Sequence, residues 1–127
     1  MAIRCLIVDD NQRFAQTARE LLQEDGIDVL AVAGGGEEAV RLARELRPEL
    51  ALVDIDLDGE SGLDVARRLR ADEPGALADA VILISTHAQE EFAELIAASP
   101  AVGFIAKAEL GADAIDALLR PAQERAE

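Results

Sequence analysis

The sequence predicts an α/β fold in which a doubly wound, five-stranded parallel sheet is covered by helices on both faces. Five short apolar runs alternate with amphipathic segments along the 127 residues, and this alternation is typical of βαβ units. The runs are aliphatic, since the chain has three Phe and no Tyr or Trp, and strands buried on both faces have this character. Half of the residues are hydrophobic, which is enough for the core of one domain.

The predicted strands are the five apolar runs, which are joined by short helical segments. They span Arg4–Val8, Val29–Ala33, Leu50–Val53, Ala80–Ile84 and Val102–Ala106. In open α/β sheets, ligands bind beyond the carboxyl ends of the strands, near the point where the strand order reverses. We expect the order 2-1-3-4-5, which places the ends of the first and third strands side by side at that point.

The predicted helices carry apolar residues at spacings of three and four, and each ends near a glycine or proline. Their apolar stripes begin at Phe14, Ala39, Leu63, Phe92 and Ile115. Their expected ends lie at or before Gly26, Pro48, Pro74, Pro100 and Pro121. The last of these predicts a domain over residues 1–121, and residues 122–127 are predicted to be a C-terminal tail or the start of a linker.

Charge and composition exclude several classes of function. A net charge of −14 and a pI near 4.3 would repel nucleic acids and anionic membranes, so we expect no direct binding to either. No run approaches the ~20 apolar residues of a membrane span, and two Asp residues cut off the first run before it could act as a signal peptide. The single cysteine, Cys5, is predicted to be a core residue, and its isolation fits a reducing cytoplasm.

Charged residues end three of the predicted strands. Asp9 and Asp10 follow the first strand, Asp54 follows the third, and Lys107, the only lysine, follows the fifth. Because the carboxyl ends of parallel strands meet at one edge, we expect these side chains to share a pocket. Crowded carboxylates attract a cation, Mg²⁺ prefers oxygen ligands, and an Asp beside the metal can attack phosphorus while a lysine contacts the phosphoryl oxygens. The pattern therefore predicts a site for a divalent cation and a phosphoryl group.

These motifs resemble those of the response-regulator receiver domains of bacterial two-component signalling. The matching stretches are LIVDD, LALVDIDLDGESGLD, VILIST and GFIAK, in the family's order and spacing. The resemblance covers nearly the whole chain and implies a flavodoxin-like (βα)5 fold. It implies that Asp54 accepts a phosphoryl group from a sensor histidine kinase or phosphotransfer protein in a reaction that depends on Mg²⁺ or Mn²⁺. No turnover of an external substrate is expected, so the domain would not be an enzyme in the usual sense.

The resemblance also implies the metal ligands and the residues that respond to phosphorylation. Asp9 and Asp10 would be the acidic pair, with Asp10 the more direct ligand, and the backbone carbonyl of Asp56 would complete the protein's share of the coordination together with Asp54. Lys107 would contact the phosphoryl group.

The switch residues are implied in the same way. Ser85 is the implied switch hydroxyl, with Thr86 left open as the alternative, and Phe104 is the implied switch aromatic. Asp56 and His87 are implied modulators of dephosphorylation. The stretch DLDG replaces the family's frequent Met-Pro-Gly turn, so that loop is expected to have its own shape.

Phosphorylation is expected to reshape one face of the domain. This face comprises Glu90–Ala98, the last strand and Ala112–Leu119, which are the fourth helix, fifth strand and fifth helix of the family's fold. We expect it to form a homodimer or to bind a partner. A C-terminal output domain, which would follow Glu127, is a further expected partner.

Two other functions are compatible with the same fold. A pseudo-receiver would use it only as a phosphorylation-independent interaction module, although such a module does not need Asp10, Asp54, Ser85 and Lys107 together. A small Mg²⁺-dependent phosphatase would need a substrate cleft and a general acid, and the sequence shows neither.

Two further motifs are partial matches to ligand sites. The stretch from Gly34 to Ala39 fits a dinucleotide fingerprint, but Glu37 and Glu38 stand where a pyrophosphate would have to bind. The stretch that begins at Asp54 resembles an EF-hand loop, but its twelfth position is Val65, where a bidentate Glu is required.

Overall fold

A five-stranded parallel sheet forms the centre of the molecule. The computed structural model describes residues 3–57, 59–71, 77–86 and 92–126, the last seven of these by their backbone alone. In chain order the strands are β1 (Arg4–Val8), β2 (Asp28–Ala33), β3 (Leu50–Asp54), β4 (Asp56–Leu57), β5 (Glu60–Ser61), β6 (Ala80–Ser85) and β7 (Gly103–Ala106). The parallel sheet has the order β2-β1-β3-β6-β7, while β4 and β5 form a separate antiparallel hairpin. The predicted fold class and the order 2-1-3-4-5 of the parallel strands are confirmed.

Five helices cover the two faces of this sheet. They are α1 (Gln12–Glu24), α2 (Gly36–Leu46), α3 (Gly62–Arg70), α4 (Ala93–Ala97) and α5 (Ala112–Ala126). Helices α1 and α5 bury their apolar residues against one face, and α2, α3 and α4 pack against the other. None of the helices in the described part of the chain is both long and apolar enough to cross a membrane.

The core is aliphatic because alternate residues of each central strand supply opposite faces of the sheet. In β1, Cys5 and Ile7 join the cluster with α1 and α5, whereas Leu6 and Val8 join the cluster with α2 and α3. Burial raises the pKa of the Cys5 thiol to about 12. This cysteine is therefore a protonated core residue at neutral pH, as the sequence predicts.

The register of the strands brings the predicted site residues to one edge. Val8 of β1 pairs with Val53 of β3, so the residues that follow them, Asp9 and Asp54, lie side by side at the carboxyl edge of the sheet. On the other side of β3, Ser85 of β6 pairs with Ala106 of β7, and Lys107 follows Ala106 directly. Parallel pairing alone therefore gathers these residues from four separate parts of the sequence.

The predicted end of the last helix is wrong. The sequence predicts that this helix ends at Pro121, but α5 continues to Ala126. A proline inside a helix removes one hydrogen bond and costs about 3 kcal/mol, but it does not prevent the helix from resuming. Pro121 is followed by Ala, Gln, Glu and Arg, which are strong helix formers that support a further turn. The domain boundary at residue 121 stays a prediction.

Candidate functional site

Three carboxylates converge at the carboxyl edge of the sheet. We call Asp9, Asp10 and Asp54 the acidic cluster, since one carboxylate oxygen of each lies within 4.8 Å of the others. Asp9 and Asp54 are buried, with 1% and 5% of their surface exposed, whereas Asp10 is exposed to solvent. The carboxylates of Asp9 and Asp54 are therefore poorly solvated, whereas the carboxylate of Asp10 is in contact with water.

Lys107 supplies the positive charge beside the acidic cluster. Its Nζ lies 2.7 Å from Asp9 Oδ2 and donates a hydrogen bond of 3.1 Å to Asp54 Oδ2. The residue begins a single 3-10 turn, Lys107–Glu109, immediately after β7. Nζ also lies 4.4 Å from the centroid of the Phe14 ring. The ammonium thus contacts two carboxylates and one aromatic ring, and 8% of the lysine side chain is exposed.

Burial and mutual charge shift the pKa values of this group. Desolvation raises the pKa of Asp54 to about 6, with a further rise from the charge of Asp9, while the bonds from Lys107 and from the Asp56 N–H lower it in part. Burial by itself lowers the pKa of Lys107, but the two carboxylates outweigh burial and raise the pKa above its ordinary value. Ionised Asp54 therefore raises the free energy of the folded state, and a further cation beside it would offset this unfavourable contribution.

The donor set fits a hard divalent cation. Asp9 Oδ1 accepts a hydrogen bond from the Asn11 N–H at 2.9 Å, and Asp54 Oδ1 accepts one from the Asp56 N–H at 3.1 Å. Asp9 Oδ2 is buried, and its contact among the described residues is the ion pair with Lys107 at 2.7 Å. Three carboxylates against one ammonium give a net charge of −2 when all are ionised. Oxygen ligands, excess negative charge and one open side are what Mg²⁺ requires.

The loop that follows Asp54 is shaped by the hairpin of β4 and β5. Its turn contains Gly59, whose φ of +76° favours glycine. The hairpin ends at Ser61, whose side chain caps α3 by accepting a hydrogen bond from the Leu63 N–H at 3.2 Å. The strand pattern did not predict this antiparallel hairpin, and the expectation that the loop differs in shape from that of the family stays a prediction.

Gly62 is a site residue that the sequence did not reveal. Its N–H donates a 2.7 Å hydrogen bond to the Ile55 carbonyl, and a Cβ at this position would overlap the backbone carbonyl of Asp54. Helix α3 can therefore start against the backbone of Asp54 only if residue 62 lacks a side chain. The available signal was a glycine directly after the N-capping serine.

The start of α2 is occupied by the chain's own carboxylates. Glu38 accepts a 2.7 Å hydrogen bond from the Gly34 N–H, and Glu60 of β5 accepts one of 3.0 Å from the Gly36 N–H. These acids take donors that a pyrophosphate would need, which argues against the dinucleotide fingerprint. Val65, at the twelfth position of the partial EF-hand match, is fully buried in α3.

The structure places the remaining predicted residues as follows. Ser85 is buried at the end of β6, and Thr86, the next residue, is exposed. Phe104 lies in β7 and is partly buried against the α2–α4 side of the core, so its ring lies away from Lys107. Asp56 is exposed and its N–H bonds Asp54, but the role of its carbonyl as a ligand stays a prediction. His87 lies outside the described residues.

The family follows from the comparison with known proteins. Residues 5–120 match the family described as the response regulator receiver domain. The chain belongs to this family. It is thus a receiver domain of two-component signalling, as the four sequence motifs imply.

Two relatives show the extent of the likeness. The DNA-binding response regulator MtrA of Mycolicibacterium smegmatis is 46% identical over 72 residues, which are 57% of this chain and 31% of MtrA. A response regulator receiver protein of an Anaeromyxobacter species is 38% identical over 91 residues, 72% of this chain and 37% of that protein. The chain thus spans about a third of the length of these relatives.

Solved structures of receiver domains share the whole fold. The receiver domain of a modulated diguanylate cyclase from Desulfovibrio desulfuricans superposes with a TM-score of 0.79 at 35% identity, covering 98% of this chain and 96% of that one. The response regulator TrrA of Thermotoga maritima, solved in complex with Mg²⁺ and BeF, superposes with a TM-score of 0.71 at 28% identity, covering 84% and 86% of the two chains.

Proposed function

We propose that this receiver domain accepts a phosphoryl group on Asp54 from a phosphohistidine of a sensor histidine kinase or phosphotransfer protein. The supporting observation is the hydrogen bond from Lys107 to Asp54 beside the other two carboxylates of the acidic cluster. A carboxylate oxygen of Asp54 attacks phosphorus, the P–N bond of the donor breaks, and its electron pair returns to the imidazole. Such transfers depend mainly on position and on charge neutralisation.

The acidic cluster would hold the metal for this reaction, with the Asp56 carbonyl as a further ligand. When bound there, Mg²⁺ or Mn²⁺ would neutralise the negative charge between Asp54 and the incoming phosphoryl oxygens. The BeF complex of TrrA with Mg²⁺ supports this assignment for the family. Lys107 then contacts the phosphoryl oxygens from the other side, while the burial of Asp9 and Asp54 limits access of bulk water to the acyl phosphate.

The phosphoryl group acts as a switch in this proposal. Charge-assisted hydrogen bonds contribute about 1.5–3 kcal/mol each, and inversion of a 1:99 population needs ~5.5 kcal/mol. One such bond from Lys107 and one from Ser85 or Thr86 approach that value. Inward movement of the hydroxyl residue frees space for Phe104, which lies one strand away, and Asp56 and His87 modulate the loss of the phosphoryl group.

The output surface is the face formed by α4, β7 and α5. It carries apolar side chains in contact with water, because Leu95 of α4 and Val102 before β7 are 49% and 37% exposed. Single exposed apolar side chains are common on monomers, so the proposal for this face rests on the family to which the chain belongs. A homodimer or a partner protein is the proposed occupant, and a C-terminal output domain is proposed because the relatives named above are much longer than this chain. The proposed location is the cytoplasm.

The proposed function is tested by asking whether the protein phosphorylates itself once or turns over an external substrate. Intact-mass spectrometry after incubation with acetyl phosphate should show one phosphoryl adduct that requires Mg²⁺. Absence of the adduct from a folded, Mg²⁺-saturated protein would contradict the proposal and favour the pseudo-receiver. Multiple turnover of a phosphomonoester such as p-nitrophenyl phosphate would favour the phosphatase.

A further inference from the structure

We infer that Phe14 is a positioning residue for Lys107, holding the ammonium over the acidic cluster through a cation–π contact. The inference rests on the proposed function for its role in phosphoryl transfer, and on geometry for the contact itself. Lys107 Nζ lies 4.4 Å from the centroid of the Phe14 ring, within the ~6 Å range of attraction by the ring's negative face. The sequence alone predicted only a core position for Phe14.

The ring is fixed by the start of α1. Asn11 caps this helix, and its side chain accepts a 3.0 Å hydrogen bond from the backbone N–H of Phe14 itself. Phe14 is partly buried and packs against the core cluster of α1 and α5. The same loop also orients Asp9, because the Asn11 N–H donates a hydrogen bond to the Asp9 carboxylate. One turn of chain therefore sets the positions of both a carboxylate and the ring.

Lys107 needs this support because its other anchors change during the reaction. A lysine is a point charge on a flexible stem, and its two anionic contacts here are Asp9 and Asp54. Both carboxylates would also engage the metal, and Asp54 becomes an acyl phosphate. The Phe14 ring accepts no proton, binds no Mg²⁺ and is not phosphorylated. It can therefore hold Nζ in the same place before and after transfer, without taking an N–H donor away from the phosphoryl oxygens.

A double-mutant cycle tests this inference. The four proteins are the native chain, Phe14→Leu, Lys107→Ala and the double variant, and the measurement is the initial rate of labelling by acetyl phosphate at saturating Mg²⁺. Leucine keeps an apolar side chain but has no ring face. We expect Phe14→Leu to slow labelling about two- to five-fold, from the strength of exposed to partly buried cation–π pairs. In the Lys107→Ala background the same change should have no further effect.

Two additional variants separate positioning from packing. Phe14→Tyr keeps the ring face and should retain most of the native rate, and a rate as low as that of Phe14→Leu would contradict a role for the ring. Phe92→Leu makes the same substitution at the start of α4, where the ring packs on the other core cluster, and its effect should be independent of Lys107. An equal loss from Phe14→Leu with and without Lys107 would overturn the inference.

The same cycle measured on folding keeps the inference testable if the proposed function fails. A native chain that does not label would contradict the function alone. In that case, urea unfolding of the four proteins without Mg²⁺ should still show that the loss of stability from Phe14→Leu is smaller when Lys107 is absent. Additive losses in this experiment would overturn the contact itself.

Discussion

At the scale of single residues, the buried charge of Asp54 is the feature with the clearest thermodynamic consequence. Its pKa rises from 3.8 to about 6 on folding, chiefly by desolvation. A raised pKa means that the folded state binds the proton more tightly than the unfolded state. The contribution of Asp54 to the free energy of unfolding is therefore at its maximum below pH ~4. It falls as the pH rises through about 6, and the total decrease is about 3 kcal/mol.

Asp54→Asn should remove this loss, because asparagine carries no charge at any pH. We expect the variant to be more stable than the native chain at pH 7.5 without Mg²⁺, and the two to converge near pH 4. Urea unfolding followed by circular dichroism between pH 4 and 8 measures the difference. Parallel pH profiles for the two proteins would contradict the burial argument.

The choice between Ser85 and Thr86 as the proposed switch hydroxyl is also testable at this scale. Ser85 is buried beside the strand that leads to Lys107, whereas the side chain of Thr86 is exposed. We expect Ser85→Ala to weaken the response of the α4–β7–α5 face to phosphorylation, with Thr86→Ala as the matched control. Chemical shifts of β7 and α5 amides with and without Mg²⁺ and fluoroberyllate report this response. A larger loss in Thr86→Ala would assign the switch to Thr86.

At the scale of elements, the continuous strands were predictable and the loops between them were not. Runs such as Leu50–Val53 are apolar at every position, so their identity does not depend on periodicity. The hairpin of β4 and β5 has two-residue strands, which are too short to produce a pattern. The start of α2 is bound by Glu60, which is distant in the sequence. The start of α3 depends on the close approach of Gly62 to the backbone of Asp54.

Gly62 should be the most sensitive glycine of the site. In Gly62→Ala the new methyl group overlaps the Asp54 carbonyl, so α3 or the Asp54 backbone must move. We expect a loss of at least about 2 kcal/mol in unfolding free energy, as for other overpacked sites, together with slower labelling. Gly34→Ala is the matched control, because its nearest contact would be Glu38 at 3.9 Å. Equal stability of the two variants would contradict the close approach of α3 to Asp54.

At the scale of the whole molecule, strand order determines the site, and charge determines what the site can hold. The order and the four strand-end residues could be predicted from the sequence, since a parallel sheet places strand ends together whatever lies between them. The contact of Phe14 with Lys107 could not, because it joins a helix start to a strand end through side-chain conformations. The end of α5 was missed because a proline removes one helical hydrogen bond without preventing the strong helix formers after it from continuing the helix.

Metal binding should stabilise the entire domain in a pH-dependent manner. A ligand that binds only the folded state raises stability in proportion to ln(1 + [L]/Kd), and protons compete with the metal for Asp54. We expect Mg²⁺ to raise the melting temperature at pH 7.5 and to raise it less at pH 5, below the pKa of Asp54. Differential scanning calorimetry measures this effect, which is useful because the chain has no Trp or Tyr. An equal rise at both pH values would place the metal away from Asp54.

The measurement that tests the central claim most directly is the location of the phosphoryl group. Borohydride reduces an acyl phosphate to an alcohol and so converts a phosphorylated aspartate into homoserine, which peptide mass spectrometry can map. After labelling with acetyl phosphate and Mg²⁺, we predict homoserine at position 54 and aspartate retained at positions 9 and 10. Homoserine at position 9 or 10, or a phosphoryl adduct that borohydride leaves unchanged, would contradict Asp54 as the acceptor.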